Sequence, residues 1–330
     1  MADLSTKYLG ITIKNPLIAA SSGFTDSIEN IKNLEANGIG AVVLKSVFEE
    51  EILNQETALL NGAKKDNLIY STLSETLDYI DLHVKEETLN KYLTLIKEAK
   101  KLTLIPIIAS INCVTSSEWI DFAKKVESAG ADAIELNIFL NPVDESDKNY
   151  EEIYLQIVEK VTKIISIPLS VKISKYFTKP GAVIKKLANT DIKGLVLFNR
   201  FYSPDIDINK LEITSAGKIS GKEEYLDSLR WIGMMSNQVK CDLAASNGIH
   251  SSETVIKQIL AGAKAVQICS VIYAKGMGYI STILNELENW MNDKKFSHID
   301  QFRGKLSLKS SSDQAAYERM QFMKHFSGIE

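Results

Sequence analysis

Two short stretches hold residue types from which chemistry can be built. Residues 171–174 read Val-Lys-Ile-Ser and put Lys172 at the end of an apolar run. Residues 245–249 read Ala-Ser-Asn-Gly-Ile and close another apolar run in a small-residue turn that opens a helix. A cation at one strand end and a bare backbone turn at another would grip the two ends of a phosphorylated ring cofactor. Similar residue types follow the other apolar runs: Ser21-Ser22-Gly23, Lys45-Ser46, Asn112, Asn137, Asn199 and Cys269-Ser270. No His, Asp or Glu stands at these ends. Amides both donate and accept hydrogen bonds, which suits a flat ring with imide and carbonyl edges. A lysine beside the N1/O2 edge of a flavin stabilises the negative charge that reduction places there. The turns at Asn247-Gly248 and Cys269-Ser270 would present N–H groups to a phosphate near a helix start. The cofactor expected from these residues is flavin mononucleotide, FMN. Taken singly, each feature has a structural alternative: an asparagine makes a turn or cap, a lysine pairs with a carboxylate, and Asn-Gly is a turn. Their recurrence at the same end of successive strands carries the reading.

The elements that must position these residues follow one rhythm: a short apolar run, a polar loop, an amphipathic helix. Strands are expected at 16–20, 41–44, 104–111, 133–136, 167–172, 195–198, 242–245 and 265–269. Helices are expected at 28–37, 89–101, 119–128, 149–165, 182–189, 225–235, 252–260 and 278–292. Runs that are apolar at nearly every position belong to strands buried on both faces, and connections of helix length make them parallel. Eight such repeats favour a closed (β/α)8 TIM barrel over an open doubly wound sheet, and no Gly-x-Gly-x-x-Gly follows any strand. The chain reads as one domain over 1–330. Loop excursions fall at about 49–87 and 200–224, the second a candidate short hairpin, and a polar tail spans about 293–330.

Composition narrows the function classes. The 330 residues are 45% hydrophobic and 24% charged, and 38 Lys and Arg against 42 Asp and Glu give a net charge of −4. No basic surplus argues for nucleic acid or an anionic membrane surface. The start of the chain has no apolar signal core, and no apolar run approaches the length of a membrane span. Cys113, Cys241 and Cys269 lie far apart without a Cys-x-x-Cys pair, so neither disulfides nor metal clusters are expected, and a reducing cytoplasmic setting is. His83, His250, His298 and His325 lack metal-ligand spacing and read as solvated or capping residues. Trp119, Trp231 and Trp290 fall in helical patterns and read as core.

In this order the motifs resemble the dihydroorotate dehydrogenase family of FMN-dependent barrels over roughly residues 4–310. The stretches that carry the likeness are Leu-Gly-Ile-Thr-Ile-Lys-Asn-Pro-Leu-Ile-Ala-Ala-Ser at 9–21, Val-Leu-Lys-Ser at 43–46 and Ala-Gly-Ala-Asp-Ala-Ile-Glu-Leu-Asn at 129–137. Val-Lys-Ile-Ser at 171–174 and Leu-Ala-Gly-Ala-Lys-Ala-Val-Gln-Ile at 260–268 complete them. Details such as Leu-Phe-Asn-Arg-Phe-Tyr-Ser-Pro-Asp-Ile-Asp at 197–207 resemble the dihydroorotate dehydrogenase-like branch. The resemblance implies an enzyme that oxidises dihydroorotate, or a similar dihydropyrimidine, to orotate in pyrimidine biosynthesis. It places Ala20 and Ser21 against FMN, Lys45 and Ser46 beside its ring, and Lys172 on the N1/O2 side. Asn112 and Asn137 would contact flavin or substrate, and Asn199, with Lys45 and Asn137, a bound orotate-like ring. Gly248, Cys269 and Ser270 would cradle the phosphate. Homodimerisation is implied by the resemblance alone.

The departures concern the chemistry. Family members carry a cysteine or serine after the Glu-Leu-Asn strand as the base that takes a carbon-bound proton. Here that position is Leu140, in Ile-Phe-Leu-Asn-Pro at 138–142. The family's Asn-Ser-x-Gly-Leu-Pro-Asn loop is not recognisable within 49–87, and its paired glycine is Asn247-Gly248. Candidates to replace the base are Asp144, Glu145, Ser146, Tyr176 and Cys113, each of which also reads as an ordinary loop residue. Three readings stand side by side: an oxidase of a dihydropyrimidine-like imide, an ene-type flavin reductase of another substrate, and a flavin-binding protein without turnover.

Overall fold

The computed structural model describes residues 2–48, 73–112, 118–138, 140, 149–200, 203–217, 219–311 and 317. The chain opens with an antiparallel hairpin, β1 (Thr6–Tyr8) and β2 (Ile11–Ile13), turned by Leu9 and Gly10, both at positive φ. Then follow β3 (Leu17–Ala19), α1 (Ile28–Ala36), β4 (Ala41–Val43), β5 (Val47–Phe48), α2 (Leu73–Leu102), β6 (Ile107–Asn112), α3 (Glu118–Ser128), β7 (Ala133–Asn137) and α4 (Tyr150–Thr162). Next come β8 (Leu169–Ile173), α5 (Pro180–Ala188), β9 (Gly194–Leu197), a second hairpin of β10 (Ser203–Asp207) and β11 (Glu212–Ala216), and α6 (Tyr225–Met235). β12 (Asp242–Ala245), α7 (Ser252–Ala261), β13 (Ala265–Ile268), α8 (Ser270–Lys275) and α9 (Tyr279–Asp293) complete the order.

Strands β3, β4, β6, β7, β8, β9, β12 and β13 pair in parallel, each with the next, and β13 returns to β3, so the ring closes. This is the expected TIM barrel, with β5 added as a short partner of β6. Alternate residues on each strand face opposite ways. Leu17, Val42, Ile107, Ile134, Val171, Leu195, Leu243 and Val266 pack outward in the cluster shared with the helices. Ile18, Ala41, Val43, Ile108, Ala133, Val196, Ala244 and Ala265 form a second cluster with Tyr8, Leu9 and Ile13 of the hairpin. The hairpin therefore plugs the N-terminal end of the bore. Leu9 uses the space that Gly194 leaves open: a Cβ on Gly194 would stand 2.5 Å from Leu9 Cδ2, which would have to shift.

Two of the expected segments differ, and a third is as expected. The helix expected over 89–101 begins at Leu73 and so covers the last part of the excursion expected at 49–87. Leu73, Leu77, Ile80 and Val84 have helical spacing that the polar composition obscures. The hairpin expected within 200–224 is present as β10 and β11. The region expected as a polar tail is folded as far as residue 311: Ile299, Phe302 and Ser307 are buried, and backbone bonds run from Gly304 to Ile259 and from Leu308 to Gly233. Ile299 and Phe302, in a mostly polar stretch, supplied the apolar contact that composition averaged away. Trp119 is buried, while Trp231 and Trp290 pack half-buried against the core.

Candidate functional site

The inward parity that gives small apolar residues at the lower rungs gives polar ones above them. Asn137 pairs in register with Lys172 on the next strand, and Lys172 with Val196 on the one after. Lys172, 9% exposed, donates from Nζ to Gln267 Oε1 at 3.1 Å. Gln267 Nε2 donates in turn to Glu135 Oε2 at 2.5 Å, and Lys172 Nζ stands 3.9 Å from Glu135 Oε1. Burial pushes the Glu135 carboxyl up from its ordinary range, and the Lys172 charge and the Gln267 bond oppose that.

Beside this strap, Asn199 Nδ2 donates to Asn137 Oδ1 at 2.6 Å. The pairing uses one donor of the first amide and the acceptor of the second; the Asn137 amide hydrogens and the Asn199 carbonyl can meet a ring's donor and acceptor edges. A cleft next to the pair is lined by Tyr176, Asn199, Arg200, Asp227, Ser246 and Asn247. On the other side, Ser46 is buried, its Oγ 2.7 Å from Ser110 Oγ and 3.1 Å from Ser21 Oγ, and Ser21 Oγ accepts the Ser46 N–H at 2.8 Å. Ser110 lies where β4 has ended and β5 begins, and there the Tyr92 hydroxyl accepts its N–H at 2.8 Å and donates to its carbonyl at 3.0 Å. Ala20 is buried, its N–H bonded to the Ile268 carbonyl, while Lys45 is exposed and Asn112 half-buried.

The third group lies at the ends of β12 and β13. Asn247 and Gly248 are both left-handed, at φ 72 and 66. A Cβ on Gly248 would fall 2.2 Å from the Tyr225 nitrogen, so only glycine fits. Its N–H donates to Ser220 Oγ at 3.0 Å. The Ser220 hydroxyl and N–H both donate to Ser270 Oγ, at 2.8 and 2.9 Å. Ser220 comes from the second excursion. Arg200 ties that excursion down with bonds to the Gly217 and Ile219 carbonyls and to Glu224, and His250 Nε2 lies 2.8 Å from the Ser220 carbonyl. Cys269, half-buried at the start of α8, has its thiol pushed up by burial; a bond to Ser22 and the charges of Lys172 and Arg200 pull it back.

The residues expected to contact cofactor or substrate stand at or just beyond the C-terminal ends of the strands, the end at which barrel enzymes work. Glu135, Gln267, Ser110 and Ser220 were not singled out. For Glu135 and Gln267 a signal existed: one ionisable and one amide residue, each at inward parity in an otherwise apolar strand. Ser220 had none, since it is one serine in a polar stretch. Leu140 packs half-buried against the core, and no proton acceptor stands in its place. Of the replacement bases, Tyr176 is exposed; Cys113, Asp144, Glu145 and Ser146 lie outside the described residues. Among the described residues no group of three or more His, Cys, Asp or Glu could hold a metal ion.

A parallel barrel whose mouth gathers an ammonium, paired amides and a hydroxyl-lined glycine turn has the donor set of a flavin mononucleotide oxidoreductase. Comparison with known proteins agrees. Residues 3–291 match the profile of the family described as dihydroorotate dehydrogenase, and the chain belongs to that family. Its members are FMN-dependent oxidoreductases acting on CH–CH groups. Similar proteins include those named "Dihydroorotate dehydrogenase B (NAD(+)), catalytic subunit" from Thermoplasma acidophilum, 28% identical over 92% of this chain and 99% of that protein, and from Thermoplasma volcanium, 26% identical over 92% and 98%. The same name is carried by a Bacillus cytotoxicus protein, 24% identical over 92% of this chain and 97% of its own.

Proposed function

We propose that this chain binds FMN across the barrel mouth and oxidises a dihydropyrimidine of the dihydroorotate type, as a step of pyrimidine synthesis in the cytoplasm. The observation that carries the reading is the Lys172–Asn137–Asn199 cluster facing the same opening as the Ser220–Gly248–Ser270 turn. In this reading Lys172 meets the ring's N1/O2 edge, Ala20, Ser21, Lys45, Ser46 and Asn112 flank the ring, and Gly248, Ser220, Cys269 and Ser270 hold the phosphate. Asn137, Asn199 and Lys45 hold the substrate imide. FMN supplies a two-electron acceptor. The protein must bind the substrate flat, exclude water and provide a group for the carbon-bound proton. General-base help is typically worth about 10²–10⁴-fold, and Leu140 cannot give it.

That side chain also favours a second reading, a flavin enzyme whose substrate needs no proton taken from carbon. Anaerobic mixing of the yellow protein with dihydroorotate separates the two: loss of the flavin band supports dihydroorotate as substrate. A band unchanged by dihydroorotate but bleached by a reduced nicotinamide nucleotide supports the second. Bound flavin indifferent to every donor leaves a binding protein without turnover.

The free thiols of Cys241 and Cys269 support the reducing compartment, and no helix among the described residues is long and apolar enough to cross a membrane. The relatives' name, a catalytic subunit using NAD+, supports a further chain in the working assembly. The β10–β11 hairpin supports contact with another chain, since Ile206, Ile208, Leu211 and Ile213 stand exposed on it. A homodimer is the simplest form of that contact. Light scattering that returns a monomer at every concentration would remove the homodimer.

A further inference from the structure

Glu135 is 1% exposed, and its Oε1 has no hydrogen-bond partner. Taking a carboxylate out of water is costly, and an apolar residue of similar volume is often as stable in such a place. The inward residues near it are mostly apolar, Ala133, Ile108 and Val196, with Ser170 in register beside it, so the packing does not call for an acid. Gln267 reaches it from β13, which lies four strands from β7 in either direction round the ring. The amide thus spans the bore under the mouth. Its carbonyl accepts from Lys172 at 3.1 Å and its NH2 donates to Glu135 at 2.5 Å, which keeps the ammonium 3.9 Å from the other carboxylate oxygen.

We propose that Glu135 and Gln267 are positioning residues for Lys172: the Gln267 amide holds the ammonium up at the mouth, and the Glu135 carboxylate offsets part of the charge that the ammonium presents to a ring bound above it. The proposal rests on FMN occupying that mouth. Two opposite consequences follow. Removing the carboxylate charge leaves more of the ammonium's field on a ring edge that becomes negative on reduction, so reduction is favoured. Removing the bridging amide lets the ammonium drop onto the carboxylate and away from the ring, so reduction is disfavoured. A general loosening of the site would not give opposite signs.

The experiment is a redox titration of protein-bound FMN against a reference dye, at saturating FMN. Glu135→Gln should raise the equilibrium constant for two-electron reduction about tenfold, or about 30 mV. Gln267→Met should lower it severalfold. In a Lys172→Met background the Glu135→Gln effect should vanish, because burial with no ammonium beside it favours the uncharged Glu135 carboxyl, which Gln merely mimics. Shifts under about twofold, shifts of the same sign, or a Glu135→Gln effect that survives in the Lys172→Met background would overturn the proposal. Should Glu135→Gln not fold, Gln267→Met with and without Lys172→Met decides in the same way. A wild-type protein that stays colourless with added FMN overturns the cofactor reading itself, and its colour distinguishes that failure from the others.

Discussion

At the N-terminal end of the barrel, Asp242 and Arg303 bond to the segments that cover the bore; at the C-terminal end, Lys172 and the polar side chains around it bond to one another. Asp242 Oδ2 accepts the Leu9 N–H at 2.8 Å, and Arg303 donates to the Ala263 carbonyl at 3.1 Å and to Thr6 Oγ1. Those bonds join the plugging hairpin and the folded C-terminal segment to the strands they cover. Burial lowers the Arg303 pKa to about 10, with Asp242 opposing, and burial raises Asp242. At the mouth, Lys172, Gln267 and Glu135 form a side-chain strap, Asn137 meets Asn199, and Ser46 meets Ser110. Both ends hold an acid withdrawn from solvent near a base, half-buried at Asp242 and fully buried at Glu135, yet the roles differ. A side chain bonded to backbone fixes a chain segment. A side chain bonded to another side chain fixes the direction of a functional group and adds little to the fold. Barrels divide their ends this way, stability below and chemistry above.

The contrast can be broken by exchanging the expected effects. Arg303→Met should cost the fold about 1–3 kcal/mol in denaturant unfolding, from leaving the Ala263 carbonyl and the Thr6 hydroxyl without their charged donor, while FMN bound per folded molecule stays unchanged. Lys172→Ala should do the reverse. FMN affinity should fall about 10–100-fold, from a lost charge-assisted contact of about 1.5–3 kcal/mol, with the FMN-free protein still folded, since burial favours the protonated Glu135 carboxyl once the ammonium is gone. If Lys172→Ala unfolds the barrel and keeps its flavin, the division of the two ends is wrong. A smaller effect sharpens the picture within the mouth. Ser220→Ala should weaken FMN about fivefold, for one hydroxyl bond of about 1 kcal/mol, and leave riboflavin affinity alone, because riboflavin has no phosphate. Equal losses for both ligands in a fluorescence titration would move Ser220 out of the phosphate turn.

Part of the mouth was legible without the fold. Lys172, Asn137 and Asn112 stand at the ends of apolar runs, and period-two alternation alone puts Asn137 on the same face as Ala133. Gly248 was legible as a turn, although the reason for glycine is tertiary: the backbone of Tyr225 occupies the space a Cβ would take. The early start of α2, the plug of Tyr8 and Leu9, and the buried Phe302 were missed. In each case the local composition is polar or short, and the apolar contact lies far along the chain.

The sequence by itself determined the alternation of strands and helices, the inward parity of each strand, and the amides and lysines at its ends, because these depend on neighbours a few residues apart. Only the tertiary structure decided which of them meet. Closing the ring set β7 opposite β13, so Glu135 and Gln267 touch although they lie 132 residues apart, and the excursion folding back carried Ser220 to Gly248. Those meetings follow from the closure and stagger of the whole sheet, which no window of the chain contains.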